Sequence, residues 1–171
     1  MTQQRIIIPV DHGNRNLKTE NYVFTSGVME SDCRPMLGEY IYYNDKYYLI
    51  SDQRIPYMRD KSSDERFFIL TLFGIVKEAK RLDIDADNTI LKVELPVGLP
   101  PKHYGALHKK FRMYFMNRGR QNVVYDGKEW KKDQEDLMTH ELAKEFAVSI
   151  IEYFREKKPD DDAVLMNLQL Q

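Results

Sequence analysis

The stretch Ile6-Ile7-Ile8-Pro9-Val10-Asp11-His12-Gly13-Asn14-Arg15-Asn16-Leu17-Lys18 decides how this chain is read. A nearly all-apolar run from Arg5 to Val10 ends in an acid, passes through a Gly/Asn-rich turn and resumes ahead of a lysine. That pattern predicts strand, tight turn and second strand. Two readings of the turn are open. Asp, Asn and Gly are what any hairpin uses to reach positive φ, so on these residues alone a plain turn is the more economical reading. The other is chemical: a carboxylate ending a buried strand, backbone N–H groups freed by a turn and an ammonium a few residues on can together hold a metal-bound polyphosphate. Pro9 has no N–H, so it places the strand at a sheet edge or requires a break in its ladder.

Composition bounds the rest. With 171 residues, 42% hydrophobic and 31% charged, the chain can bury one core and is expected to be one domain, with or without an appendage. A formal net charge of -1 excludes a whole-chain field toward nucleic acid or a bilayer. One cysteine, Cys33, excludes an internal disulfide framework and suits a reducing compartment. No apolar run approaches membrane-spanning length, and Met1-Thr2-Gln3-Gln4-Arg5 leads directly into a strand rather than a signal-peptide core. The expectation is a soluble, cytoplasmic protein with no membrane partner.

Beyond the turn, Asn21 to Thr25 reads as a returning strand and Glu30 to Gly38 as a loop. Glu39 to Tyr43 and Lys46 to Ile50 flank Asn44-Asp45, which predicts an antiparallel hairpin whose five tyrosines serve sheet packing rather than base stacking. Ser62-Ser63-Asp64-Glu65 fits a capping box, opening a helix that carries Phe67, Phe68, Ile69, Leu70, Leu72, Phe73, Ile75 and Val76. Being apolar almost all round, that helix is expected in the core. Thr89 to Leu95 reads as a strand. Pro100-Pro101 start a second helix, with Tyr104, Leu107, Phe111, Tyr114 and Phe115 on one face and Asn117 and Gly119 at its end. Lys102, Lys109, Lys110, Arg112, Arg118 and Arg120 make a basic patch, read as a solvated face. Val123 to Trp130 around Asp126-Gly127 predicts a further hairpin. Thr139 to Phe154 reads as a third helix and Ala163 to Leu170 as a last strand.

Other chemistry is missing from the sequence. There is no G-x-x-x-x-G-K-[ST] loop, no G-x-G-x-x-G fingerprint and no G-x-S-x-G. His140-Glu141 has no histidine at zincin spacing, and Cys33 lies in a loop without an evident activating base.

Taken together, Ile8 to Lys18, the Asn44-to-Ile50 strand, Arg54-Ile55-Pro56-Tyr57-Met58-Arg59-Asp60-Lys61, the apolar helix and Val97-Gly98-Leu99-Pro100 resemble the N-terminal half of bacterial actin-like plasmid-segregation proteins, the ParM/StbA group of the actin/Hsp70/sugar-kinase superfamily. The resemblance covers about the first three-quarters of the chain. It implies an α/β fold, a ribonuclease H-like actin-type domain with a mixed sheet and flanking helices, half of the usual two-domain actin fold. Residues 1–130 would form this domain and 131–171 a helix-strand tail docked on it.

The resemblance further implies ATP and Mg²⁺ as cofactors and filament formation coupled to hydrolysis. Asp11 would hold Mg²⁺ through water. Gly13, Asn14, Arg15 and Asn16 would present N–H groups to the phosphates, with His12 and Asn14 shaping the turn, and Lys18 would lie near the β- and γ-phosphate oxygens. The family's interdomain segment, second Asp/Gly phosphate loop and Gly-rich adenosine loop are missing from this sequence. The chain therefore looks truncated, and weak or absent nucleotide binding without catalysis is expected of it alone. Its expected partners are itself or a full-length actin-like protein, with DNA reached only through an adaptor. The alternative is a non-catalytic protein that caps or regulates filaments of such a relative.

Overall fold

The computed structural model describes residues 2–99, 101–125 and 128–133. Among them the chain runs β1 (Thr2–Ile7), β2 (Asp11–His12), β3 (Asn16–Lys18), β4 (Val23–Thr25), β5 (Val28–Ser31), β6 (Tyr40–Tyr43), β7 (Lys46–Ile50), a 3-10 turn (Lys61–Ser63), α1 (Glu65–Arg81), β8 (Thr89–Glu94), α2 (Pro101–Met116), β9 (Gln121–Tyr125) and β10 (Lys128–Asp133). Seven strands form one mixed sheet in the order β1-β8-β10-β9-β6-β7-β5, and β2-β3-β4 form a second, antiparallel sheet. The expected mixed α/β architecture is what the chain adopts.

Pro9 sits where the opening run changes partner. β1 pairs in parallel with β8 at the sheet edge, whereas β2 pairs antiparallel with β3. The N–H groups of Ile8 and Val10 donate to the carbonyls of Glu94 and Pro96, both at 2.9 Å. Donors toward β8 thus skip residue 9, and the missing N–H of Pro9 falls on the side away from that ladder.

The Tyr-rich hairpin forms as its sequence predicts. Asn44 (φ 49°) and Asp45 (φ 62°) both occupy the left-handed region that a two-residue turn needs between twisted strands. Tyr40, Tyr43 and Tyr48 are buried, and Tyr47 packs on Tyr40 and Tyr42 at centroid separations of 5.6 and 4.7 Å. These contacts agree with a packing role.

α1 is the core helix. Phe67 to Val76 are all buried, with Phe68 against Tyr43 of β6 and Phe73 edge-on to Tyr125 of β9. Its cap differs from the expected Ser62 box. Asp64 is the N-cap and accepts from the Arg66 N–H, while Asp60 accepts from the Ser62 N–H and caps the 3-10 turn. A carboxylate outcompetes the serine hydroxyl for those orphan donors because its hydrogen bonds are charge-assisted. Glu65 in the first turn, with Lys80 and Arg81 in the last, suits the helix dipole.

α2 follows the expected pattern, with Phe111 and Phe115 buried. The basic patch is partly taken up by ion pairs: Lys110 reaches Asp60 at 2.5 Å, and Arg118 pairs with Glu65. The loop expected from Glu30 onward is corrected at its start. Glu30 and Ser31 belong to β5 because they pair with Tyr48 and Tyr47 of β7, a tertiary pairing that overrides local composition. β10 carries the main sheet past the expected 130/131 boundary, pairing Lys131 to Asp133 with Ile90 to Lys92. The expected third helix and last strand lie outside the described residues.

Between β4 and β5 the backbone passes so close to its neighbours that Gly27 has no room for a side chain. A Cβ there would stand 2.3 Å from the carbonyl oxygens of both Ser51 and Gln53. Gly27→Ala should therefore cost at least about 2 kcal/mol in urea denaturation. A loss below about 0.5 kcal/mol would show that this crossing relaxes freely.

Candidate functional site

The opening turn is built by period-two alternation across β2 and β3. Asp11 pairs in register with Lys18, and His12 with Leu17. Leu17 and His12 point into the core, at 0% and 3% exposure, so Asp11 and Lys18 share the opposite face. Their charged groups lie 3.9 Å apart, from Asp11 Oδ2 to Lys18 Nζ.

The turn is held from beneath by Ser26, one residue past the expected Asn21-to-Thr25 strand. Ser26, 1% exposed, donates its Oγ–H to the Gly13 carbonyl at 2.7 Å and its N–H to the Arg15 carbonyl at 2.9 Å. Gly13 is required by space: a Cβ would lie 2.5 Å from the Asn16 carbonyl oxygen. Asn14 and Arg15 are exposed at the tip, and no protein group among the described residues accepts from their N–H groups. Free N–H donors beside a lysine are suited to an anion.

The imidazole of His12 is taken into the core. It lies edge-on to Phe67 and Phe111, at 6.3 and 5.7 Å between centroids, and 5.7 Å from Phe115. Thr71 donates its hydroxyl to the Phe67 carbonyl, so the 2.7 Å contact between His12 Nε2 and Thr71 Oγ1 has the histidine donating. This leaves Nδ1 bare and buried. Burial, helped by the charge of Lys61, pushes the His12 pKa down to about 3. Of the expected site residues, the structure brings together Asp11, Lys18 and the Gly13–Asn16 turn, and gives the His12 side chain to the hydrophobic core.

Lys61 is a further cation here that sequence reasoning did not single out. It opens the 3-10 turn ahead of α1, and its ammonium donates to the His12 carbonyl. Burial pulls its pKa down, and the Asp11 carboxylate pulls it back up. The contact spans 49 positions, so no local motif could reveal it.

Among the described residues no three His, Cys, Asp or Glu side chains gather into a metal-ligating cluster. The donor set, a lone carboxylate beside open N–H groups and a lysine, is compatible with Mg²⁺ brought in on a phosphate, since that ion keeps most of its water and takes one or two carboxylates plus phosphate oxygens. No helix among these residues is long and apolar enough to cross a membrane.

Solved structures share this arrangement of elements. Apo psk41 ParM superposes with a TM-score of 0.60 at 15% identity, over 75% of this chain and 47% of its own. An AlfA filament bound to AMPPNP gives 0.54 at 16% identity, over 76% and 52%. The actin-like protein Alp7A gives 0.51 at 15% identity, over 77% and 43%. The fold is actin-like. This chain spans about half the length of these actin-like structures, with 47%, 52% and 43% of them covered. No protein-family model matches the sequence, and no curated protein matches it either.

Proposed function

We propose that this chain is the nucleotide-binding N-terminal part of an actin-like, filament-forming DNA-segregation protein of the ParM/StbA group, with self-association as its mode of assembly. The observation that carries this reading is the register pairing of Asp11 with Lys18 across the Gly13–Asn16 turn, within an actin-like fold. Support also comes from the AlfA structure, which is a filament and holds a nucleotide analogue. In this reading the Gly13–Asn16 backbone and Lys18 grip the phosphates, and Asp11 holds Mg²⁺ through water. The ion would supply neutralising charge to the phosphate oxygens.

Phosphoryl transfer is catalysed mainly by positioning and by charge on both sides of the γ-phosphate. Among the residues named here charge approaches from one side, so slow turnover or none is expected of the 171-residue chain. Calorimetry with Mg-ATP tests the reading. Binding should weaken with salt and fall at least about tenfold in Asp11→Ala and in Lys18→Ala. Weak but measurable binding by this chain alone is expected, and no heat of binding at millimolar Mg-ATP would sink the proposal.

A second reading, a non-catalytic regulator of a related filament, draws on Met36 and Leu37. These stand 99% and 87% exposed in the β5–β6 loop and present apolar surface for a protein contact. Co-sedimentation with filaments of a full-length relative, together with no nucleotide binding, would select it.

A further inference from the structure

We propose that Lys61 is the second cation of the phosphate site: its ammonium, bonded to the carbonyl of His12 and beside Asp11, takes an oxygen of the bound polyphosphate. This inference rests on the phosphate reading above. An ammonium has three donors, and the His12 carbonyl uses one of them. Among the described residues Lys61 forms no ion pair within 4.0 Å, although it is partly buried. The ring of Phe67 lies 5.4 Å from the ammonium.

Sheltering a cation without a bonded anion is unfavourable unless a ligand supplies one. Asp11 cannot balance the site alone. Its one negative charge lies 3.9 Å from the ammonium of Lys18 and also acts on that of Lys61, so it is shared between two cations.

The surroundings keep the field positive. His103, in the first turn of α2, is driven toward its neutral form by burial and then by the charges of Arg59, Lys102 and Lys61. The N-terminal end of α2 adds its own partial positive charge. The Val10–Val97 bridge ties the segment that precedes this helix to the strand that ends in Asp11. A polyphosphate entering over the Gly13–Asn16 turn would thus meet two ammonium groups near Asp11, Lys18 from β3 and Lys61 from the 3-10 turn. Lys61 is also bonded to the backbone of the turn itself, so it is placed before the ligand arrives.

The alternative is that Lys61 only anchors the His12 carbonyl, in which case removing it would alter stability but not anion affinity. The test uses the full 171-residue chain, titrated calorimetrically with Mg-ATP and separately with metal-free sodium tripolyphosphate. Lys61→Met keeps the apolar stem and removes the charge. It should weaken both ligands at least about tenfold and reduce the salt dependence. In the unmutated protein, isotope-labelled lysine should show the Lys61 methylene next to the ammonium shifting as tripolyphosphate is added, a readout that stands even if the variant does not fold. Unchanged affinity in Lys61→Met, or an unmoved Lys61 signal at saturating tripolyphosphate, overturns the assignment and leaves the nucleotide reading in place. Tripolyphosphate binding that depends on Lys61, without Mg-ATP binding, supports the assignment and overturns the nucleotide reading alone. No binding of either ligand overturns both.

Discussion

Lowering the pH from 7 to 5 should cost the fold about 2 kcal/mol through one buried residue, His12. The imidazole is 3% exposed and ringed by Phe67, Phe111 and Phe115, and its one hydrogen bond runs from Nε2 to Thr71. A second proton would have to enter at Nδ1, which has no partner among the described residues, and would place a cation near Lys61. The folded pKa of about 3 lies below the ordinary value of 6.5. The unfolded chain therefore takes up the proton first. Stability from this residue is complete above pH 6.5 and is lost as the pH falls toward 3, about 5 kcal/mol in all. Few carboxylates titrate between pH 7 and 5, and His103, also held toward its neutral form, adds a loss of the same sign there, so the His12 share is the difference between parent and variant. Urea denaturation of the parent and of His12→Leu at the two pH values checks this. The parent should lose about 2 kcal/mol more than the variant, which keeps His103; equal pH dependence in both would mean that the imidazole of His12 is not held neutral.

Phe73→Ala should cost about 3–5 kcal/mol. Phe73 is 0% exposed in the middle of α1 and meets Tyr125 of β9 edge-on at 6.4 Å. Truncation removes the transfer free energy of the ring and leaves a cavity between helix and sheet. The surrounding core, Tyr125 included, can close that cavity only in part. A measured loss under about 0.5 kcal/mol would show that α1 does not sit in the core.

These effects differ in how far ahead they were legible. The burial of α1 could be read from its residues, because a helix apolar almost all round has no face to give to water. The Asn44-Asp45 hairpin was equally plain, since few residue pairs accept positive φ at both positions. Pro9 announced an edge strand or a broken ladder through its missing donor, and the edge position is what occurs, with Ile8 and Val10 still donating on either side of it. The pairing of Asp11 with Lys18 was implicit in the hairpin, where alternation puts them on one face. His12 was expected to shape the turn, and its side chain instead fills the gap between α1 and α2. Alternation alone sends it inward beside Leu17, but which aromatic rings receive it depends on helices far along the chain.

What the sequence by itself determined is local: where strands turn, which helix is buried, which residues stand at the Gly/Asn loop. These follow from φ preferences, missing donors and short-range periodicity, which act over a few residues. Only the tertiary structure decided that Glu30 and Ser31 join a strand, that Asp64 rather than Ser62 caps α1, that β10 runs parallel to β8, and that Ser26 and Lys61 brace the turn from 13 and 49 positions away. Those outcomes depend on which buried polar groups find partners when distant segments meet. The free energy of such pairing belongs to the assembled arrangement, and no window of the chain contains it.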